Sequence, residues 1–342
     1  MSAQQPLPIA ISLGDPAGIG PELIAEAWVR RSEAGLAPFF VLGGAKVLAA
    51  ASALRGLDCP VIAISHPAET HDAFARGVPV LGAADAGYTP GQPDDAGARL
   101  ALASLTEATQ LVRDGEAAAL VTAPIAKAEL AKVGFDFPGQ TEFLANACGA
   151  STEDAVMMLA GPSLRTVPLT VHCALAEVPG QLSQELICNK ARIVAAALTR
   201  DFGIDRPRLA LTGLNPHAGE GGKFGDEEAR IIAPAVAALR KEGIDASGPH
   251  SADALFTPRS RATFDAALCM YHDQALIPIK ALDFDEGVNV TLGLPIIRTS
   301  PDHGTAFEIA GKGIADPGAM IAAIRMASAT AARRAQNHVA HG

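Results

Sequence analysis

Three histidines carry the first chemical suggestion in this 342-residue chain. A strand-like apolar run, Ala266–Tyr271, breaks off at His272–Asp273. The run Leu164–Val171 ends on His172, and Leu209–Leu214 leads through Asn215–Pro216 to His217. In open α/β sheets ligands collect beyond the carboxyl ends of strands, so each imidazole is expected at the rim of a crevice. Three neutral imidazoles form a ligand set that suits a catalytic zinc or a neighbouring divalent metal and leaves a position open for substrate. The separations, 45 residues from 172 to 217 and 55 from 217 to 272, are too long for a local finger, so His172, His217 and His272 can meet only through the fold. Any one of them alone reads more readily as a hydrogen-bonded structural histidine. Asp273 and Asp253 are candidates for orienting an imidazole N–H. Their alternatives are a helix N-cap for Asp273 and ordinary loop solvation for Asp253.

Two further groups are placed for binding. Asn215–Gly225 (NPHAGEGGKFG) sets four glycines beside His217 and Lys223, more than a turn needs. That suggests backbone approaching a ligand, with Gly219, Gly221 and Gly222 as candidate cofactor contacts. The earlier Gly18-x-Gly20 lacks the third glycine of a dinucleotide fingerprint, position 23 being Leu. It reads equally as an anion-facing turn before a helix or as a tight turn. Lys280, Asn289 and Arg298 lie in otherwise apolar sequence, where isolated cations suggest a fixed phosphate or carboxylate. Structural salt bridges to Asp283 or Glu286 explain the same spacing.

The elements that must position these residues alternate along the chain. Strands are expected at Leu7–Leu13, Phe39–Leu42, Val61–Ile64, Val78–Leu81, Ala117–Val121, Val288–Leu292 and Ile296–Thr299, in addition to the three His-tipped runs. Helices are expected from Pro21 to Arg31, Ala45 to Leu54, Ala96 to Arg113 and Pro317 to Ala335. This pattern is that of an α/β protein with a mainly parallel sheet. Aromatics are only 4% of the chain although hydrophobic residues are 49%, so the core must be aliphatic. The net charge of −10 argues against nucleic acid as a partner. Five cysteines without a C-x-x-C pair argue against a disulfide framework. The start MSAQQPLPIAISLG lacks a basic segment and a long apolar run, and no stretch approaches a membrane span, so a cytoplasmic location is expected.

GDPAGIGPE (14–22), TAPIAK (122–127), GQTEFLA (139–145), LNPHAGEGG (214–222), SADALF (251–256), MYHDQALIPIK (270–280) and GVNVTLGLPIIRTSPDHGTAFEIAG (287–311) together resemble the 4-hydroxythreonine-4-phosphate dehydrogenase family of vitamin B6 synthesis. The likeness runs through nearly the whole chain. It implies an isocitrate/isopropylmalate-dehydrogenase-like fold, two α/β domains around a central cleft, which binds NAD or NADP without a Rossmann fingerprint. Residues 1–136 with 297–342 would form one domain, and 137–296 a second carrying the metal ligands and a dimer interface. It implies a homodimer whose active site takes residues from both subunits. The metal ligands would be His172, His217 and His272, holding Zn, with Mg or Co as other occupants. Gln140, Thr141, Lys280, Asn289 and Arg298 would contact substrate. The family motif commonly has His where this chain has Gln140, which donates a hydrogen bond but carries no charge.

The activity so implied is oxidation of 4-phosphooxy-L-threonine at C3 with decarboxylation to 3-amino-2-oxopropyl phosphate and CO2, in pyridoxal 5'-phosphate biosynthesis. The metal would act as Lewis acid on the hydroxyl. Lys280 and Asp253 are the candidates for proton transfer, together with a metal-bound water. A four-carbon sugar-acid phosphate, 4-phosphothreonate or 4-phosphoerythronate, is the alternative substrate. A His-metal hydrolase or lyase without nicotinamide, and a non-catalytic metabolite binder, are alternatives of other classes.

Overall fold

The computed structural model describes residues 5–341. Twelve strands occur among them. In chain order they are β1 (Ile9–Ser12), β2 (Phe39–Leu42), β3 (Val61–Ile64), β4 (Val78–Leu81), β5 (Ala119–Thr122) and β6 (Val156–Ala160), followed by β7 (Arg165–Pro168), β8 (Arg208–Thr212), β9 (Asp245–His250), β10 (Ala266–Cys269), β11 (Val288–Leu292) and β12 (Arg298–Pro301). The chain divides into two compact units, Met1–Thr152 with Leu294–Ala332 and Glu153–Gly293 with Arg333–Gly342.

The first unit has strand order β3-β4-β2-β1-β5-β12, and its pairings are parallel. A parallel sheet is covered on both faces, which is why β1, β2 and β5 are buried at every position. The helix Gly20–Val29 is buried through nine of its ten residues and carries Pro21 in its first turn, where a missing N–H costs nothing. The expected helix from Ala96 is present as Asp95–Arg113, capped by Asp94, whose side chain accepts from the Gly97 N–H. GDPAGIG is held by close backbone approach. Gly14 has φ +74° and a Cβ there would meet the Pro124 carbonyl at 2.5 Å, while a Cβ at Gly18 would lie 2.9 Å from the Thr305 carbonyl. The tight-turn explanation of these glycines therefore has a packing cause.

The second unit has order β11-β6-β7-β10-β8-β9. The β11–β6 and β6–β7 pairs are antiparallel, and β7, β10, β8 and β9 run parallel. Its core gathers Leu159, Leu164, Ala210, Phe264, Ala267 and Ile279. The helix Gln184–Phe202 is capped by Ser183 at one end and by the left-handed Gly203 at the other. The mostly parallel α/β architecture is thus the one the alternation predicted. The expected strand Leu164–Val171 is shorter, running from Arg165 to Pro168. Among the described residues no helix is long and apolar enough to cross a membrane.

Candidate functional site

In the second unit, strand order decides which histidines meet. β7 and β10 are parallel neighbours, so their exits leave the sheet side by side. Beyond the strands, the Leu169 N–H donates to the Cys269 carbonyl at 2.8 Å and Thr170 Oγ1 donates to the Met270 carbonyl at 2.9 Å. His172 and His272 consequently stand with ring centroids 5.8 Å apart. They line a cavity of about 260 Å³ with Thr170, Cys173, Tyr271 and Asp273. Two imidazoles bound tetrahedrally to one ion at about 2.1 Å would hold their centroids roughly 5 Å apart, so this pair suits a common cation. Asp273 lies within 2.7 Å of His272 Nδ1 through its Oδ1, which makes Nδ1–H the donor and leaves Nε2 with the lone pair. Asp273 sits in the first turn of the helix His272–Leu282, behind Tyr271 at the N-cap position.

His217 follows β8, the neighbour of β10 on its other side. Its loop takes an unusual course: His217, Ala218, Gly219, Glu220 and Gly221 all have positive φ. His172, at φ 52°, is in the same region. For residues with a Cβ this conformation costs roughly 1–2 kcal/mol each, and such strain concentrates at functional sites. Glu228 anchors the loop by accepting from the Asn215 N–H at 2.8 Å. A Cβ on Gly219 would lie 2.7 Å from Glu228 Oε2, whereas Gly221 and Gly222 face open space. Only the latter two leave room for a ligand to approach. His217 stands near Phe224, centroids 6.3 Å apart, rather than with the other pair. Among the described residues no group of three or more His, Cys, Asp or Glu is placed to hold a metal.

The other predicted residues fall as follows. Asp253 is exposed and accepts from Ser251 Oγ at 2.5 Å. That bond, with the Ala254 N–H and the nearby His217 charge, holds its carboxyl below the usual range. Lys280 is half-buried on the helix that begins at His272. Asn289, on β11, has a buried Oδ1 with no hydrogen-bond partner, an acceptor a ligand could satisfy.

Gln140, Thr141 and Arg298 belong to the first unit. Arg298 pairs in register with Leu120, so its side chain lies on the face that also carries Thr122, two residues on. Its Nε and Nη2 donate to Thr122 Oγ1 at 3.2 and 2.7 Å, and Nη2 also donates to Gln140 Oε1 at 2.9 Å. Gln140 opens the helix Gln140–Ala147, with Thr141 following, half-buried. Arg298 is 5% exposed. Burial draws its pKa down to about 10, against the charge of Glu142.

Two contributors were not singled out from sequence. Thr122 was visible only as a strand-exit residue in TAPIAK. Gln274, in MYHDQAL, accepts from the Met270 N–H at 2.8 Å and from Thr212 Oγ1 at 2.6 Å and donates to the Gly213 carbonyl at 2.8 Å, tying the exits of β8 and β10 together.

The chain can be set beside known proteins. The family described as pyridoxal phosphate biosynthetic protein PdxA matches residues 35–327. A relative from Erythrobacter litoralis named 4-hydroxythreonine-4-phosphate dehydrogenase is 66% identical over 328 residues, 96% of this chain and 98% of the relative. One of the same name from Zymomonas mobilis is 54% identical over 97% of this chain and 99% of its own length. A crystal structure of 4-hydroxythreonine-4-phosphate dehydrogenase from Klebsiella pneumoniae superposes with a TM-score of 0.85 at 39% identity, covering 96% of this chain and 99% of that one. With the family matched over most of its length, and relatives this similar from end to end, the chain belongs to the PdxA family of pyridoxal phosphate biosynthetic proteins.

Proposed function

We propose that this chain is a dehydrogenase that oxidises 4-phosphooxy-L-threonine at C3 with NAD or NADP and releases CO2, giving 3-amino-2-oxopropyl phosphate for pyridoxal 5'-phosphate synthesis. The relatives' shared name supports the reaction class and substrate. The observation that carries the chemistry is the His172–His272 pair at adjacent parallel strand exits. The donors proposed for a divalent cation, Zn or with Mg or Co in its place, are these two imidazoles and a third from His217. A cation held there would supply Lewis acidity at the C3 hydroxyl.

The residues of the chain then have separate tasks. Asp273 fixes the His272 ring through Nδ1 and keeps Nε2 available. Arg298 is the proposed phosphate anchor, which orients C3, and Lys280 is a substrate contact that the family likeness implies. Asn289 offers Oδ1 to a donor on the substrate, and Thr141 lies beside Gln140 at the anion end. Asp253 and Lys280 are the groups assigned to proton transfer. The depressed pKa of Asp253 makes it the weaker base of the two types. Of the loop assigned to the nicotinamide cofactor, Gly219, Gly221 and Gly222, the last two have the necessary room.

Since His217 stands outside the pair, the proposal assigns the third donor to a second copy of the chain in a homodimer. Leu175, close to His172 in sequence, is 66% exposed, and Ile277 and Phe284, on and just after the His272 helix, are 66% and 72% exposed. Large apolar side chains left in water on one unit favour a covered surface. Gln140 favours a second reading, in which a sugar-acid phosphate such as 4-phosphothreonate or 4-phosphoerythronate is the substrate.

The test is reduction of NAD and of NADP followed by absorbance with each of these three phosphates, with and without chelator, and with the oligomeric state measured in parallel. Turnover of 4-phosphooxy-L-threonine that chelator stops is the expected result. Preference for a sugar-acid phosphate would move the substrate assignment, and no reduction of either NAD or NADP with any of them would defeat the proposal.

A further inference from the structure

We infer that Gln140 is a positioning residue that acts through Arg298, a neutral clamp on the guanidinium rather than a proton donor to substrate. This rests on the assignment of Arg298 as the phosphate anchor. Both ends of the Gln140 amide are engaged inside the protein: Oε1 accepts from Arg298 Nη2 at 2.9 Å, and Nε2 donates to the Ala123 carbonyl at 3.2 Å. Turned over, the amide would set its NH2 against a guanidinium N–H and its oxygen against a carbonyl, so chemistry allows one orientation. Thr122 Oγ1 takes Nε and Nη2 of the same guanidinium. One edge of Arg298 is therefore gripped from two elements, the exit of β5 and the first residue of the helix Gln140–Ala147.

The neutrality of the grip is what matters. Thr and Gln acceptors fix the direction of the fork without cancelling its charge, whereas a carboxylate at position 140 would neutralise the cation an incoming phosphate needs. An imidazole there would add a charge that varies near neutrality. Among groups facing Arg298, Glu142 is the carboxylate whose charge reaches it. With Gln140 in place, anion affinity does not depend on the protonation of residue 140.

Calorimetric titration of the full chain with inorganic phosphate tests this, using Gln140→Ala, Arg298→Lys and the double variant. Gln140→Ala should weaken phosphate binding about tenfold, and Arg298→Lys should weaken it further. The double variant should bind no worse than Arg298→Lys alone, because a lysine has no fork to clamp. Losses that multiply in the double variant, or wild-type binding by Gln140→Ala, overturn the inference. Gln140→His gives an independent readout: its affinity relative to wild type should change between about pH 6 and 8, and a flat ratio counts against the neutral clamp. If instead phosphate binding survives Arg298→Lys and Arg298→Ala undiminished, the anchor assignment itself fails, a result the Gln140 variants cannot produce.

Discussion

Arg298 opens β12 in the first unit and His172 follows β7 in the second, and the two are held in contrasting ways. Arg298 is sealed in, its fork fixed by Thr122 and Gln140 on relaxed backbone. His172 is exposed on a left-handed residue, and the loop of His217 is left-handed through five residues. An anion anchor needs one direction and little water, which burial and neutral acceptors provide. The metal-binding role proposed for the imidazoles would need lone pairs left open, and the left-handed backbone at His172 and His217 holds both rings in conformations that cost strain. The contrast teaches that the guanidinium of the first unit is fixed in direction before any ligand arrives, while the His172 and His217 imidazoles of the second are left open at the price of backbone strain.

The comparison can be broken most forcefully at the histidines. His272→Ala should lower kcat on the order of 10³-fold or more and reduce retained metal, read by NADH formation and elemental analysis. Full turnover by metal-stripped His272→Ala would end the assignment. Next in size, Arg298→Ala should raise KM for the phosphorylated substrate about 10- to 100-fold with little change for NAD. Equal effects on both would mean that the anchor is misplaced.

Smaller effects separate stability from chemistry. Asp201 is 4% exposed and takes paired bonds from Arg200 and Arg334. Burial alone would raise its pKa, but the two arginines outweigh that and lower it. A depressed carboxyl contributes stability above the ordinary carboxylate range, and that contribution is lost as pH falls through the depressed pKa. Asp201→Asn should cost about 3 kcal/mol in denaturant unfolding at neutral pH while leaving KM intact. The smallest change is expected at Glu22, fully buried in the first unit and raised chiefly by burial, with Arg55 opposing. A raised carboxyl contributes stability below the ordinary range that is lost as pH rises through the folded value. Glu22→Gln should therefore melt slightly higher than wild type at neutral pH, with the gap closing toward acid; a lower Tm at neutral pH would show that Arg55 dominates.

Much of the scaffold was legible because the strands advertise themselves. Phe39–Leu42, Val61–Ile64, Val78–Leu81 and Val288–Leu292 are short apolar or β-branched runs, and each forms a strand over that span. β9, Asp245–His250, was not legible: DASGPH has neither alternation nor apolar weight, and it becomes a strand only by pairing with β8. The site divides similarly. Each histidine could be placed beyond a strand from its own neighbourhood. That His172 and His272 are the two that face each other follows from the order β7-β10-β8, which no spacing encodes. The grip of Thr122 on Arg298 was hidden for the same reason, since residues 176 positions apart meet only through the β5–β12 register.

Gln274 has a mechanical corollary. Its single amide reaches Met270 and Thr212 with one atom and Gly213 with the other. Pulling either exit away would strand a donor or an acceptor, so the stems beneath His217 and His272 shift in concert or stay put. A fluorophore on the exposed tip around Gly221 would thus report movements that begin at Tyr271, with a side-chain amide as the linkage.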